Sequence, residues 1–456
     1  MLRRLLKRAD WLFLALATPV GIVLCLLIPP LGGGNEMYNF QRIAGVAYGE
    51  PGVGPVTLPG GIVAFVNEGF RYFHEGLATP FGFGAEEYHR LAAILLDAHA
   101  PAVLPSNPIA VHNPVAYLPQ AAVLRFAALA GASPLTLFIL ARLAGLAAAL
   151  ALTFAAIRLM PSHKVALAAL ALLPPIVFGR SAVDADPVTN GFAFLFIAAV
   201  LRESVCEEAM TARSLAGLVA LAFVMGQCKS AYFVLLPLAL LIPRRRFASP
   251  TQHGAALALL ILPGVLASLA WMAFAKASAL SSGAYHTWSG MADPDRQLAF
   301  VFAHPIGYVE TFIRTLFATD FFLRSLVQVF GAFGPPVYLP LPVIAILFAL
   351  FLGAVFADGA AKAPEYPRRL FPLALAIFAV FLALSLTLLY LQWTGYAKPV
   401  IEGFQGRYLY PLLPLFVVLP RLSRRPFGLA PETWLLAQVG IGLPAMLAET
   451  AWAYYG

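Results

Sequence analysis

Four short stretches of this sequence combine acidic, basic and amide side chains in a chain that is otherwise strongly apolar. They are residues 35–42, 180–187, 229–232 and 402–408. Carboxylates that meet cations at one site could take a proton from a hydroxyl while the cations hold a phosphate leaving group. Arginine offers phosphate oxygens a planar fork, and lysine adds a compact positive charge. This chemistry would require all four stretches to reach the same place in the fold.

Each charged residue in these stretches also has a purely structural interpretation. Glu36 follows the first long apolar run, and a carboxylate there is costly unless it has a use, although it could also be a solvated helix cap. Asp184 and Asp186 could cap a helix that starts at Pro187. Lys229 could extend from a helix end towards water. The order of the stretches along the chain is therefore more informative than any one of them.

Composition places the chain in the membrane class. Of its 456 residues 61% are hydrophobic and 11% are charged, whereas a soluble protein has roughly 25% charged residues. The net charge of +8 does not indicate nucleic-acid binding, because the basic residues cluster at the ends of predicted helices. The three cysteines, Cys25, Cys206 and Cys228, have neither a disulfide framework nor a metal-ligand spacing. We therefore expect one integral membrane domain over residues 1–456 and no metal site.

The apolar runs predict an all-α polytopic membrane protein with about eleven transmembrane helices. Basic residues before the first span, 11–30, place the N-terminus in the cytoplasm. Residues 31–134 then form an outer loop with surface helices at 62–76 and 86–99. The ambiguous run 114–132 is taken as juxtamembrane, because every basic cluster then lies inside. The remaining spans, which form the bundle over residues 135–456, are predicted at 135–158, 164–180, 188–202, 213–228, 231–243, 254–276, 327–356, 371–391, 407–420 and 432–452.

The sequence also resembles a known family. Several of its segments resemble the sequences of a bacterial family of multi-pass membrane proteins, the domain of unknown function 2142. The matching stretches are PPLGGGNEMYNFQRIAGVAYGE, NPVAYLPQAAV, LARLAGL, LPPIVFGRSAVDADPVTNGFAF, KSAYFVLLPLALLIPRRRF, DRQLAFVFAHPIGYV and FQGRYLYPLLPL. That family in turn is similar to the C-type (GT-C) membrane glycosyltransferases, which use polyprenyl-phosphate-linked sugars.

The resemblance implies an inverting transfer of sugar from a polyprenyl-phosphate-linked donor to a cell-surface glycan or lipid-linked acceptor. The expected place is the outer face of a bacterial inner membrane. Glu36 would be the general base, assisted by Asp186, while Arg407 and Lys229 would hold the donor phosphate. No cofactor is required, although a divalent cation could bind, and the partners are donor, acceptor and membrane lipids, without nucleic acid. Further residues expected at the substrate cavity are Asn35, Asn39, Arg42, Tyr117, Asp184, Tyr232, Gln405 and Tyr408.

Two departures from the family pattern keep other functions open. Asn35 stands where the first of two acids is expected, and Asn39 stands near an expected histidine. Asparagine cannot accept a proton at neutral pH, so Glu36 would carry the base role alone or the protein would be inactive. The alternatives are a flippase or transporter of lipid-linked sugars and a non-catalytic scaffold for polysaccharide assembly. The chain has no inverted repeat of the kind that favours transport.

Overall fold

The computed structural model describes residues 8–75, 83–281, 292–334, 337–360 and 364–456, and this part of the chain is mostly helical. The α-helices are α1 Ala9–Leu27, α2 Glu36–Ala47, α3 Gly60–Glu75, α4 Ala85–Ala92, α5 Leu118–Leu129, α6 Pro134–Leu159, α7 Lys164–Ala171, α8 Pro174–Arg180, α9 Asp186–Val205, α10 Ala212–Cys228, α11 Pro250–Ser281, α12 Pro294–Ala303, α13 Pro305–Phe317, α14 Phe321–Gly331, α15 Leu341–Gly359, α16 Leu370–Gln392, α17 Leu413–Val417 and α18 Pro431–Tyr455. The strands are β1 Val56–Pro59, β2 Pro101–Leu104, β3 Ala332–Gly334 and β4 Val337–Tyr338. Short 3₁₀ helices cover Pro108–Val111, Pro114–Tyr117, Ser230–Leu241, Arg244–Arg246, Gly406–Leu412 and Pro426–Gly428.

Seven of the described helices are long and apolar enough to cross a membrane: α1, α6, α9, α11, α15, α16 and α18. They support the prediction of a helical multi-pass membrane protein. Helix α9 is the most enclosed of the seven, and α11 is the most exposed along its length. Helix α15 occupies only the later part of the predicted span 327–356, because α14 ends at Gly331 and β3 and β4 follow it.

The predicted count of about eleven spans is not confirmed, because the other four predicted spans fold as shorter or interrupted helices. Residues 164–180 divide into α7 and α8, since Pro174 and Pro175 cannot continue the hydrogen bonding of α7. The segment 231–243 folds largely as a 3₁₀ helix, and 407–420 divides into a 3₁₀ helix and the short α17; each 3₁₀ helix has an internal proline. Helix α10 has 17 residues. A window of apolar residues alone does not distinguish these segments from long helices.

Two small antiparallel sheets depart from the all-α prediction. Strand β1 pairs with β2, so that Val56 lies opposite Leu104 and Pro59 opposite Pro101. Strand β3 pairs with β4 in a short hairpin. The first sheet joins two segments that are distant in the sequence, so local residue patterns carried no signal for it. It fixes the two ends of the region around α3 and α4.

Helices occur at both places where surface helices were predicted in the first loop, while their position on a membrane surface stays a prediction. Helix α3 coincides with the helix expected at 62–76, and α4 begins as expected for 86–99 but ends at Ala92. The run 114–132 contains α5, which is only 12 residues long. This helix is not among the described helices long enough to span, and its juxtamembrane position stays a prediction.

Helices α12 to α14 were not predicted. They leave large apolar side chains exposed, including Phe302, Ile306 and Phe317. Helices with one apolar and one polar face commonly lie in the membrane interface. This part of the chain therefore adds a second set of short helices beside the long ones.

Helices α10 and α11 approach each other closely at two glycines. A Cβ atom on Gly226 would lie 2.9 Å from the carbonyl oxygen of Gly264 and 3.0 Å from its Cα atom. Small residues let membrane helices pack backbone against backbone. The crossing fixes the C-terminal end of α10, which leads directly into Lys229.

Replacing Gly226 by alanine is expected to destabilise the protein by about 1–3 kcal/mol, because the new methyl group meets backbone that cannot move aside. Thermal denaturation in detergent measures this change. Gly217 on the same helix has nothing within 4 Å of the corresponding position. Gly217→Ala is therefore the matched control, and it should be neutral or slightly stabilising. Equal melting temperatures for the two variants would contradict the close crossing.

Candidate functional site

A cavity of about 290 Å³ lies beside the start of α9. The loop before α2, the end of α8, the turn into α9, helix α14, strand β3 and the 3₁₀ helix that begins at Gly406 all contribute to it. Its polar lining residues are Asn35, Arg180, Asp184, Asp186, Asn190, Gln328, Gln405 and Arg407. Its apolar walls are formed by Pro175, Ile176, Phe178, Phe333, Tyr338 and Tyr410.

Two carboxylates and two cations form one group beside this cavity, and all of them except Lys229 line it. Arg407 lies between the aspartates, with its Nη1 3.3 Å from Asp184 Oδ2 and its Nε 3.8 Å from Asp186 Oδ2. Lys229 Nζ donates a hydrogen bond to Asp186 Oδ1. The side chain of Arg407 is 34% exposed, compared with 16–17% for the two aspartates. Arg407 is thus the charged member of this group most accessible from the cavity.

The turn that carries the two aspartates is shaped by its own sequence. The backbone N–H of Asp186 donates to Asp184 Oδ1 at 3.1 Å, an Asx-type turn. Pro187 follows at the first turn of α9, where its missing N–H costs nothing. Burial raises the pKa of Asp184 above its ordinary value, and the neighbouring Asp186 adds to this while Arg407 and Lys229 oppose it. A carboxylate with a raised pKa is a better proton acceptor.

Glu36 does not line this cavity. Its side chain is fully buried against Arg142 of α6, whose Nε donates to Oε1 at 2.8 Å and whose Nη2 donates to Oε2 at 2.6 Å. The backbone N–H of Gly33 donates to Oε2 at 2.8 Å, and that of Val183 donates to Oε1 at 2.7 Å. Four hydrogen bonds therefore occupy the carboxylate.

Arg142 completes the same arrangement from the other side. Its guanidinium donates to the carbonyl oxygens of Cys25 at 2.8 Å, Ile28 at 2.6 Å and Pro29 at 2.8 Å, which follow from the end of α1. The last carbonyls of a helix lack partners within the helix, so Arg142 caps α1. A general base needs a free lone pair within reach of the substrate. This geometry argues against the base role predicted for Glu36 and gives it a structural one.

The site lies within the part of the chain that matches a known protein family. A family model described as "Predicted membrane protein (DUF2142)" matches residues 19–416. The chain belongs to this family. The match includes every residue that lines the cavity, and it confirms the resemblance drawn from the sequence. No curated protein and no solved structure matches the chain.

Other residues predicted for the site of this DUF2142 protein do not line the cavity but form hydrogen bonds close to it. Asn39 is buried, accepts a hydrogen bond from Tyr117 Oη at 2.8 Å and donates one to the carbonyl of Asn35 at 3.1 Å. Tyr232 Oη donates to the carbonyl of Tyr408 at 3.0 Å. These contacts hold the backbone next to Asn35 and Arg407. Of the predicted cavity residues, Asn35, Asp184 and Gln405 line the cavity itself.

Arg42 has a different role from the one predicted. It is 3% exposed and is absent from the cavity lining. Its Nη1 donates to the carbonyl of Pro51 at 2.7 Å, and its Nη2 donates to that of His112 at 2.8 Å. Arg42 therefore joins α2 to two loops of the segment between α2 and α5.

Of the polar lining residues, three were not assigned to the DUF2142 site from sequence. Asn190 lies one helical turn after Asp186 on the same face of α9, so helical periodicity could have indicated it. Gln328 Oε1 accepts a hydrogen bond from the backbone N–H of Gly406 at 2.6 Å, and no sequence signal links these distant positions. Arg180 belongs to one of the four stretches, and its Nη1 donates to the carbonyl of Ala171 at 2.6 Å, which caps α7.

Among the residues that the structure describes, no group of three or more His, Cys, Asp or Glu side chains is placed to hold a metal ion. Asp184 and Asp186 could offer carboxylate ligands, as divalent cations prefer. Any such ion would have to compete with Lys229 and Arg407, which already pair with these aspartates.

Proposed function

We propose that this DUF2142 protein is a membrane glycosyltransferase that moves a sugar from a polyprenyl-phosphate-linked donor to a cell-surface glycan or lipid-linked acceptor. The observation that carries the proposal is the convergence of Asp184, Asp186 and Arg407 on one cavity. A carboxylate can take the proton of an acceptor hydroxyl, and a cation can stabilise the departing phosphate. The cavity lies at the lower end of the usual range for ligand sites, about 300–1,000 Å³. It therefore suits one sugar ring.

In this mechanism Asp184 replaces Glu36 as the general base. The acceptor oxygen forms a bond to the anomeric carbon, the bond from that carbon to the phosphate oxygen breaks, and Asp184 takes the acceptor proton. The polyprenyl phosphate leaves with the electron pair of the broken bond, and the anomeric configuration inverts. Arg407 receives the phosphate, since its side chain is the most exposed of the four charged groups. Asp186 holds Lys229 and Arg407 in place.

The proposal also places the protein in its membrane. It lies in a bacterial inner membrane with the N-terminus in the cytoplasm and the cavity on the outer face. Membrane lipids surround its long apolar helices, and the donor tail reaches the cavity from the bilayer. The reaction needs no cofactor, because Lys229 and Arg407 supply the positive charge, while a divalent cation bound at the aspartates would add to it.

The raised pKa of Asp184 leads to a specific pH dependence. The base must be deprotonated, so kcat/KM should rise with pH through this pKa, at a value above the roughly 3.9 of an ordinary aspartate. Asp186→Asn removes the neighbouring negative charge and should move this acidic limb to lower pH. The pH profile of transfer by the two proteins tests both statements. An acidic limb that stays in place in the variant would contradict the assignment of Asp184.

The experiment that tests the proposed function is glycosyl transfer in proteoliposomes with a panel of radiolabelled polyprenyl-phosphate sugars. We expect transfer from at least one donor to an added glycan or lipid-linked acceptor. If no donor supports transfer but labelled lipid moves between leaflets, the protein is a flippase. If neither happens, the scaffold function replaces the enzyme.

A further inference from the structure

Asn190 is a polar side chain of the cavity to which the described residues offer no hydrogen-bond partner. It lies on α9 one turn beyond Asp186, and it is 6% exposed. Within the described residues no group donates to its side-chain amide or accepts from it, although the residue lines the cavity. Its amide atoms are not among the fully buried unpaired atoms, so they face the cavity, where a ligand or water can complete them.

The two halves of the amide restrict what this ligand can be. Asparagine offers two N–H donors and one carbonyl acceptor. A phosphate can only accept, and a metal ion can bind only the carbonyl oxygen. A hydroxyl group both donates and accepts, so it satisfies both halves of the amide. The chemistry at Asn190 therefore favours a neutral hydroxylated ligand.

The walls of the cavity fit the same kind of ligand. The rings of Phe178 and Phe333 lie with their centroids 5.3 Å apart, and Tyr338 also lines the space. Aromatic rings provide apolar contact for the C–H groups of a sugar ring. Asn35 contributes a second amide to the lining. Hydroxyl groups would meet amides while the ring carbons meet aromatic side chains.

We propose that Asn190 hydrogen-bonds a hydroxyl group of the transferred sugar and so determines which sugar the protein accepts. This inference rests on the proposed function and adds a residue that selects the donor. A site built to bond a hydroxyl discriminates strongly against an analogue that lacks it, because its own polar group is then left unpaired.

The test compares wild type with Asn190→Leu, which keeps the side-chain size and removes both halves of the amide. The probes are polyprenyl-phosphate hexoses and pentoses, their epimers and their monodeoxy analogues, in both transfer and equilibrium binding. For the preferred donor we expect Asn190→Leu to lower kcat/KM by about ten- to a hundredfold. For the deoxy analogue that lacks the bonded hydroxyl, wild type and variant should become nearly equal.

Asn107 provides the matched control. It is 2% exposed, its amide donates to the carbonyl of Tyr38, and its Oδ1 accepts from the N–H of Ile109 at 2.9 Å. Asn107→Ala should lower the melting temperature and leave the ranking of donors unchanged. Asn190→Leu should keep or raise the melting temperature of the ligand-free protein, because it removes a polar group that the chain does not pair.

The outcomes separate this inference from the proposed function. If wild type transfers sugar and Asn190→Leu retains the full donor ranking, Asn190 does not select the sugar. If wild type transfers nothing, the proposed function fails, and the binding measurements still decide the inference. Equal binding of every probe to wild type and variant would then overturn it, whereas a loss of selectivity in the variant would uphold it.

Discussion

Arg142→Ala is expected to yield little folded protein. The substitution leaves the carboxylate of Glu36 buried without its cation and removes the donor from three carbonyl oxygens, one in the last turn of α1 and two just after it. Removing one partner of a buried ion pair costs about 3–5 kcal/mol. Total stabilities are only about 5–15 kcal/mol, so this loss is a large share. The yield of monodisperse protein in detergent and its melting temperature measure the effect.

An exposed ion pair supplies the matched control. Arg90 pairs with Glu86 at 3.0 Å on the surface of α4. Arg90→Ala should change the stability by less than about 1 kcal/mol. Replacing both Arg142 and Glu36 by methionine should restore stability only in part, because the N–H groups of Gly33 and Val183 then lose their acceptor. Wild-type stability of Arg142→Ala would contradict a structural role for this pair.

Asp184→Asn is expected to abolish most of the activity while leaving the protein folded. Asparagine has the same shape but cannot take the proton of the acceptor, so kcat should fall by about 10²–10⁴-fold, the usual contribution of a general base. Its Oδ1 can still accept the N–H of Asp186, so the turn into α9 should persist. Initial rates of transfer with saturating donor measure the loss, and the melting temperature reports on the fold.

Asp97→Asn serves as the control for this variant. Asp97 is exposed, lies outside the cavity and has a left-handed backbone with φ of 46°, which asparagine also tolerates. Its substitution should leave transfer near the wild-type rate. If Asp184→Asn also keeps that rate while Asp186→Asn loses it, the base is Asp186 and the proposed roles of the two aspartates are reversed.

Sequence reasoning identified all four members of the charged group, Lys229 included, and it also named Glu36, which does not line the cavity. Asp184, Asp186 and Arg407 were indicated by charges that occur where spans meet loops. Glu36 was assigned as the base because the sequence alone does not show that Arg142 pairs with it. Arg142 lies inside an apolar run more than a hundred residues away, and only the packing of α6 against α1 and α2 reveals the pair.

The fold was predictable to the extent that it depends on composition. A chain with 61% hydrophobic residues must place long helices in a membrane, and seven such helices are present in the described part. The remaining four predicted spans are not confirmed, because an apolar window does not report on helix length, proline position or backbone type. The pairing of β1 with β2 depends on contacts between distant residues, which no local pattern encodes.

The 3₁₀ conformation of Ser230–Leu241 affects the position of Lys229, the residue that precedes it. A 3₁₀ helix rises about 2.0 Å per residue and an α-helix about 1.5 Å. The 12 residues of this segment therefore reach roughly 24 Å, instead of the roughly 18 Å that an α-helix would cover. Pro237 within it cannot donate the hydrogen bond that an α-helix would use. The longer rise of this largely apolar segment therefore places Lys229 about 6 Å farther from Ile242 than an α-helix of the same length would.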